Sequence, residues 1–241
     1  MDAAVDPSVC PFDVPRPVME HRWDELTFLH WSYPVETVQR LLPPSLTVDA
    51  YDGVAYVGLV PFFMTVSLPG RGALPGVGRF CETNVRTYVR DESGRPGIWF
   101  FSLDATGLAP VLTARATYRL PYCWSQMRVV HDGDLMRYDC RRRWPGPGRS
   151  HAVVRIGEQY APEELGPLDH FLTARWILFS RARGYHRMGR AQHAPWVLHR
   201  AEPLAVNDGL LEAAGLPAPE GVPLAHYSPG VQVRIGRPER G

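Results

Sequence analysis

Glu82, Asn84 and Arg86 stand two residues apart in the stretch Phe80–Arg90, and Tyr88 continues the row. A repeat of two is the period of a β-strand, so these four side chains would share one face. The other parity carries Cys81, Thr83, Val85, Thr87 and Val89, the small and β-branched types that strands favour. A polar row of this kind can meet water, as in any half-buried strand. It can instead line the inside of a closed sheet, and then the acid and the arginine are desolvated. A carboxyl in an apolar cavity has a raised pKa and can exchange protons near neutrality, whereas a guanidinium beside it would keep it ionised. Arginine keeps its charge on burial and can grip a carboxylate through two parallel hydrogen bonds. Arg115 and Tyr122, later in the chain, are a second cation and a hydroxyl donor. They have opposite parity, so a regular strand would present only one of them to a cavity unless Pro121 breaks the register.

Other chemistries lack their residues. His186, His193 and His199 are spaced by seven and six, which suits ligands on neither a strand nor a helix, so no metal site is expected. His193 precedes Ala194-Pro195-Trp196 and reads as a loop histidine. There is no nucleophile elbow, phosphate loop or dinucleotide fingerprint, and no cofactor is expected. All 26 basic residues are arginine, so no side-chain amine can form a Schiff base and imine chemistry could use only the α-amino terminus. Cys10, Cys81, Cys123 and Cys140 are scattered without a C-x-x-C pair and read as buried free thiols in a reducing cytoplasm, with Cys123 the candidate for a reactive one.

The elements that must carry these groups are mostly strands. The 241 residues suffice for one large domain or two small ones, and 45% hydrophobic with 21% charged is ordinary for a globular chain. A net charge of +1 provides no field for nucleic acid, and no apolar run reaches the length of a membrane helix. Residues 1–19 read as a loose arm without a signal-peptide pattern, 20–236 as one β domain and 237–241 as a polar tail. Strands are expected over Arg22–Ser32, Leu46–Tyr51, Val54–Val66, Ile98–Leu103, Thr113–Leu120, Met127–His131, Leu135–Arg141, Ala152–Ile156, Trp196–Ala205 and Val231–Ile235. Asp52-Gly53 and Asp132-Gly133 are hairpin signals. Pro69–Gly78 reads as a loop that could lie over the site. Helices are expected over Val35–Leu42, Asp208–Ala214 and, as the best of them, Pro167–Arg183, where Leu168, Phe171, Leu172, Arg175, Trp176 and Phe179 recur at helical spacing. Arg175 beside that stripe could reach inward to a carboxylate or snorkel to water. The pattern predicts a mainly β, single-domain α+β fold: a curled antiparallel barrel with two or three peripheral helices.

Phe80-x-Glu82-x-Asn84-Val85-Arg86-Thr87-Tyr88-Val89 resembles the YqjF-like family, a domain of unknown function. So do Phe28-Leu29-His30-Trp31, Leu42-Pro43-x-Ser45-Leu46, Ala114-Arg115-x-x-Tyr118-x-Leu120-Pro121-Tyr122 and His193-x-Pro195-Trp196. That family is related in fold to acetoacetate decarboxylase, which implies a curled antiparallel cone around a small-molecule cavity. The resemblance places Tyr122 and Cys123 where the decarboxylase has its two lysines, and Glu82 where it has a cavity glutamate. It therefore implies a retained cup and carboxylate with the imine nucleophile gone. The expected function is a cofactor-independent enzyme working by acid/base chemistry on a small carbonyl- or carboxylate-bearing molecule: dehydration, isomerisation, cyclisation or lyase type. Glu82, Tyr122 and Arg115 are its catalytic candidates. Arg86, Asn84, Tyr88, His30, Trp31, Trp99, Arg175 and His193 are its substrate-binding candidates, with Phe101 as further apolar lining. A non-catalytic carrier or sensor using the same cup is the alternative, and an assembly protein with a solvated polar face the third. The expected setting is cytoplasmic, without nucleic acid or membrane, and compatible with a homo-oligomer.

Overall fold

A computed structural model describes residues 6–73, 78–107, 119–182 and 185–240. Among them one sheet contains almost all the regular structure. Its strands are β1 Met19–Tyr33, β2 Leu46–Val48, β3 Ala55–Leu68, β4 Gly72–Ala73, β5 Arg79–Asp91, β6 Pro96–Ala105, β7 Tyr122–Asp132, β8 Leu135–Trp144, β9 Arg149–Gln159, β10 Ile177–Ala182, β11 Tyr185–His193, β12 His199–Asp208, β13 Leu224–Ile235 and β14 Glu239–Arg240. Among the described residues three short α-helices sit at the edges: α1 Val35–Gln39, α2 Pro167–Thr173 and α3 Leu210–Ala213.

The sheet closes on itself twice. One circuit runs β1–β3–β5–β6–β10–β11–β13 and back to β1. The other leaves β6 for β7–β8–β9–β12 and returns through β13. Closure removes the unpaired edges that an open sheet of this size would expose. The central strands serve both circuits, so each of their faces is an inner wall. That is why Phe80–Val89 has no wet face and every residue in it is buried.

The lobe behind the second circuit is filled with hydrocarbon: Leu29, Trp31, Tyr33, Val57, Leu59, Val85, Met136, Tyr138, Val154 and Tyr227 pack there. Strands β7–β9 form its outer wall and alternate buried with exposed residues, as one-sided strands do. The lobe inside the first circuit is hollow.

Four local expectations are corrected. The helix over Pro167–Arg183 stops at Thr173, and Ile177–Ala182 is a strand. The run Trp176-Ile177-Leu178-Phe179 is aromatic and branched, and its backbone is needed to bridge β6 to β11 and close the hollow lobe. Gly97 makes room for it, since a Cβ there would meet the Ile177 carbonyl oxygen at 2.7 Å and the Phe179 ring at 2.6 Å. The Asp52-Gly53 turn exists, with both residues at positive φ and Tyr51 and Val54 exchanging hydrogen bonds. It does not make a hairpin of its flanks, because β2 pairs with β5 instead of β3. Strand β11 had no clear alternating signal and was not expected. The strand expected from Trp196 begins only at His199. The expected strand Thr113–Leu120 lies, up to residue 118, outside the described residues, as do 74–77 of the loop before β5.

The two lobes should respond differently to truncation. Leu59→Ala in the filled lobe is expected to cost about 3 kcal/mol, because it leaves a new void. Leu103→Ala, which faces existing space, should cost roughly 1–2 kcal/mol, the transfer contribution alone. Denaturant midpoints of the two variants, converted with a common slope, check the difference.

Candidate functional site

The hollow lobe encloses a cavity of about 310 Å³. Its wall is mainly apolar: Trp23, Leu26, Val60, Phe62, Met64, Phe80, Ile98, Phe100, Leu103 and Trp196. Glu82, Asn84 and Arg86 interrupt it from β5, Tyr122 from the start of β7, Arg175 from the end of α2 and His193 from the end of β11. The polar row of β5 thus points into an enclosed space and away from water.

Glu82 is 1% exposed. The Tyr122 hydroxyl donates to its Oε2 at 2.8 Å. Burial pushes the carboxyl up to about 8; hydrogen bonds from Tyr122 and Asn84 oppose that shift, and Asp104 adds to it. Asp104 lies on the other face of the same wall, opposite Thr83, where Arg142 grips it through two hydrogen bonds of 2.7 and 2.8 Å. Among the described residues no guanidinium pairs with Glu82. Tyr122 is held well above the phenolic range by burial and the neighbouring acid, so it stays a donor. Its hydroxyl hydrogen is engaged by Glu82.

Arg86 lies two side chains deeper. Its guanidinium donates to the Leu172 carbonyl at 3.2 Å and to the Tyr88 hydroxyl at 3.4 Å, and it lies 5.2 Å from the centre of the Phe28 ring. Its Nε has no partner, and among the described residues no carboxylate pairs with it. The Asn84 Oδ1 is likewise buried and unpartnered. A buried cation without a counter-ion is expensive, so this end of the cavity is poised for an anion. Arg175 differs. It is 2.7 Å from the Asp49 carboxylate, which Arg90 also binds, and stacks on Phe171. Its charge is already answered, and its inward reach serves to join α2 to the sheet.

Tyr88 and His30 stand behind Arg86. Tyr88 donates to the Leu172 carbonyl and accepts from His30 Nε2 at 2.6 Å, leaving the buried Nδ1 as a bare acceptor. Burial and the Arg86 charge keep His30 neutral, well below its usual pKa. Both orient the floor and do not line it. His193 donates from Nδ1 to the Ala194 carbonyl, among the rings of Trp23, Trp176 and Trp196. Burial lowers it to about 4, so its Nε2 is an acceptor in the neutral ring.

Trp31, Trp99 and Phe101 are corrected, for they do not line the cavity. Trp31 belongs to the filled lobe, because β1 carries an extra residue between Asp24 and Leu29, where Glu25 adopts φ 53°, and the bulge exchanges its faces. Trp99 packs with Leu46, Val89 and Phe179. In β6 the register passes from Arg86–Phe100 to Val85–Ser102, so Phe101 is bulged out, and Ile98, Phe100 and Leu103 take the wall. Trp23, Phe62, Phe80 and Met188, which also line it, were missed. Alternation in β1 and β3 could have found the first two, but nothing in the sequence marks which face of a doubly buried strand is hollow. Arg115 lies outside the described residues.

Among the described residues no group of three or more His, Cys, Asp or Glu side chains could hold a metal, and no helix is long and apolar enough to cross a membrane.

Residues 20–232 match the model of the DUF2071 family, described as an uncharacterized conserved protein. The chain is 35% identical over 213 residues to the uncharacterized protein YqjF of Bacillus subtilis (strain 168), covering 88% of this chain and 87% of that one. It belongs to this family. Its fold is that of an acetoacetate decarboxylase-like enzyme from Sphingomonas wittichii RW1, with a TM-score of 0.66 at 12% identity over 97% of this chain and 96% of the other. The enduracididine biosynthesis enzyme MppR complexed with pyruvate is also similar, with a TM-score of 0.63 at 14% identity over 95% and 93% of the two chains.

The raised carboxyl pKa has a thermodynamic signature. Between about 4.5 and 8 the native state holds a proton on Glu82 that the unfolded chain releases. Stability linked to Glu82 is therefore complete below 4.5, falls as pH rises through that window and levels off above it. Glu82→Gln should remove this component and raise stability at pH 8.5 by a few kcal/mol, on the order of the cost of forcing the carboxyl to ionise. Urea unfolding at pH 5 and pH 8.5 in both proteins measures it.

Proposed function

We propose that this member of the DUF2071 family is an acid/base enzyme acting on a small carbonyl- or carboxylate-bearing molecule, with Glu82 as the proton donor. The observation that supports it is Glu82 itself: a carboxyl enclosed in an apolar cavity, with neutral hydrogen-bond partners and, among the described residues, no paired cation. Such a group holds its proton at neutral pH and can give it to a carbonyl oxygen or a departing hydroxyl. Tyr122 and Asn84 would then stabilise the carboxylate that remains, because their hydrogen bonds strengthen as charge develops on it. Arg86 would hold the substrate's carboxylate, and the Asn84 Oδ1 would accept a hydrogen bond from the enol or hydroxyl that proton transfer creates. Enolisation and dehydration are the reaction classes that need only these parts. The absence of lysine argues against an imine route through a side-chain amine. Similar folds include enzymes, one of them in complex with pyruvate, which is in keeping with a small oxo acid at this site.

A carrier reading draws on one observation: the wall is overwhelmingly apolar, as in a pocket built for affinity. Turnover separates the two. Incubation with a panel of oxo and hydroxy carboxylates in heavy water, followed by NMR, should show deuterium entering positions next to the carbonyl, or water being lost. Glu82→Gln should slow this by roughly 10²-fold or more, the usual weight of a positioned acid. The rate should fall as pH rises through about 8, where Glu82 loses its proton. Unchanged exchange in Glu82→Gln would remove the acid from the mechanism, and no exchange with any member of the panel, despite tight binding, would favour a carrier.

A further inference from the structure

The polar groups of the cavity are not spread over its wall. Along β5 the cavity-facing residues run Phe80, Glu82, Asn84, Arg86, and the register pairs them across β3 with Met64, Phe62, Val60 and Gly58. Arg86 is at the closed end, where Gly58 faces it and His30 fills the space behind; a Cβ on Gly58 would meet the His30 ring at 2.9 Å. The partly exposed residues Met19, Val66, Leu120 and Pro238 form the open end. Six residues of strand separate Arg86 from Phe80, roughly 20 Å at the usual rise per residue. Everything between the mouth and Glu82 is lined chiefly by hydrocarbon and aromatic rings, with His21, Ser180 and Arg187 as the polar exceptions near the rim.

A small, wholly polar acid would reach Arg86 but leave this throat empty, with only His21, Ser180 and Arg187 among the described residues to hold water near its rim. A chain or aryl group attached to the same acid would fill it and bury its surface. We propose that the substrate is an amphipathic monocarboxylic acid that enters head first, its carboxylate on Arg86 and its apolar chain or ring lying along Phe80, Met64 and Val66 toward the mouth. This rests on the reading of the site given above and specifies the substrate class it leaves open. The orientation follows from which cation lacks a counter-ion: Arg86 has none among the described residues, whereas Arg175 is neutralised by Asp49. The same placement runs the chain past Asn84 and then Glu82, ~7 and ~13 Å up the strand from Arg86 at the usual rise per residue.

Isothermal titration with straight-chain carboxylates from acetate to decanoate tests the tail, and octanoate against octanamide tests the head. Affinity should rise about three- to fourfold per methylene, the gain for burying one such group, until the chain reaches solvent. Octanamide should bind at least tenfold more weakly than octanoate, and Arg86→Met should abolish the preference between them while Arg187→Met should preserve it. Equal binding of acetate and octanoate would overturn the proposal. So would equal binding of octanoate and octanamide to the unaltered protein, a comparison that does not depend on any variant folding. Loss of the preference in Arg187→Met alone would reverse the ligand and overturn it as well. The acid/base reading is judged separately: a flat length series alongside Glu82-dependent exchange would remove the long tail and keep the proton donor.

Discussion

A carboxyl group deprived of water is the constraint around which the rest of this structure is arranged. Glu82 is surrounded by hydrocarbon, receives hydrogen bonds from Tyr122 and Asn84, and has an acid behind it across the sheet. Each of these could have been otherwise. An arginine in place of Asn84 would have ionised it; a wet face would have returned it to its ordinary pKa. The fold supplies the dry enclosure, and the two donors keep the group near neutrality and stop it from becoming permanently protonated.

Dry enclosures with polar contents are costly, and the chain offsets the cost by dividing its charges. Asp104 is gripped by Arg142 and bonded by Ser102 and Ser125. Asp49 is shared by Arg90 and Arg175. Asp169 binds His226 and caps the start of α2. Against these satisfied clusters Arg86 stands out, with backbone, hydroxyl and ring contacts but no anion among the described residues. A buried charge left without a counter-ion is destabilising, which sets Arg86 apart from these clusters. The filled lobe packs on the opposite face of the central strands.

Much of this was legible from residue types. The period-two row on β5, its glutamate, asparagine and arginine, the absence of lysine and the mainly β architecture all followed from order and composition. The errors share a cause. Trp31, Trp99 and Phe101 were named as apolar lining without a face to assign them; a bulge near Glu25 turns Trp31 to the filled lobe, Trp99 faces Leu46 and Phe179, and Phe101 is bulged out of β6. Trp176 and Phe179 were read as the end of a helix because they continue the helical spacing that begins at Leu168; closure of the ring, a contact between residues far apart in sequence, decided for the strand.

The sequence by itself determined that a carboxyl, an amide and a guanidinium would lie in register on one strand face, because alternation is a local property of the backbone. It also determined that no side-chain amine could serve as nucleophile. Only the tertiary structure decided that this face looks into a cavity, that the Tyr122 hydroxyl neighbours Glu82, and that Arg175 is paired with a carboxylate while, among the described residues, Arg86 is not. Those outcomes depend on which distant segments meet across a doubly closed sheet, and distance, burial and counter-ion, the quantities that set a pKa, exist only once the chain has folded.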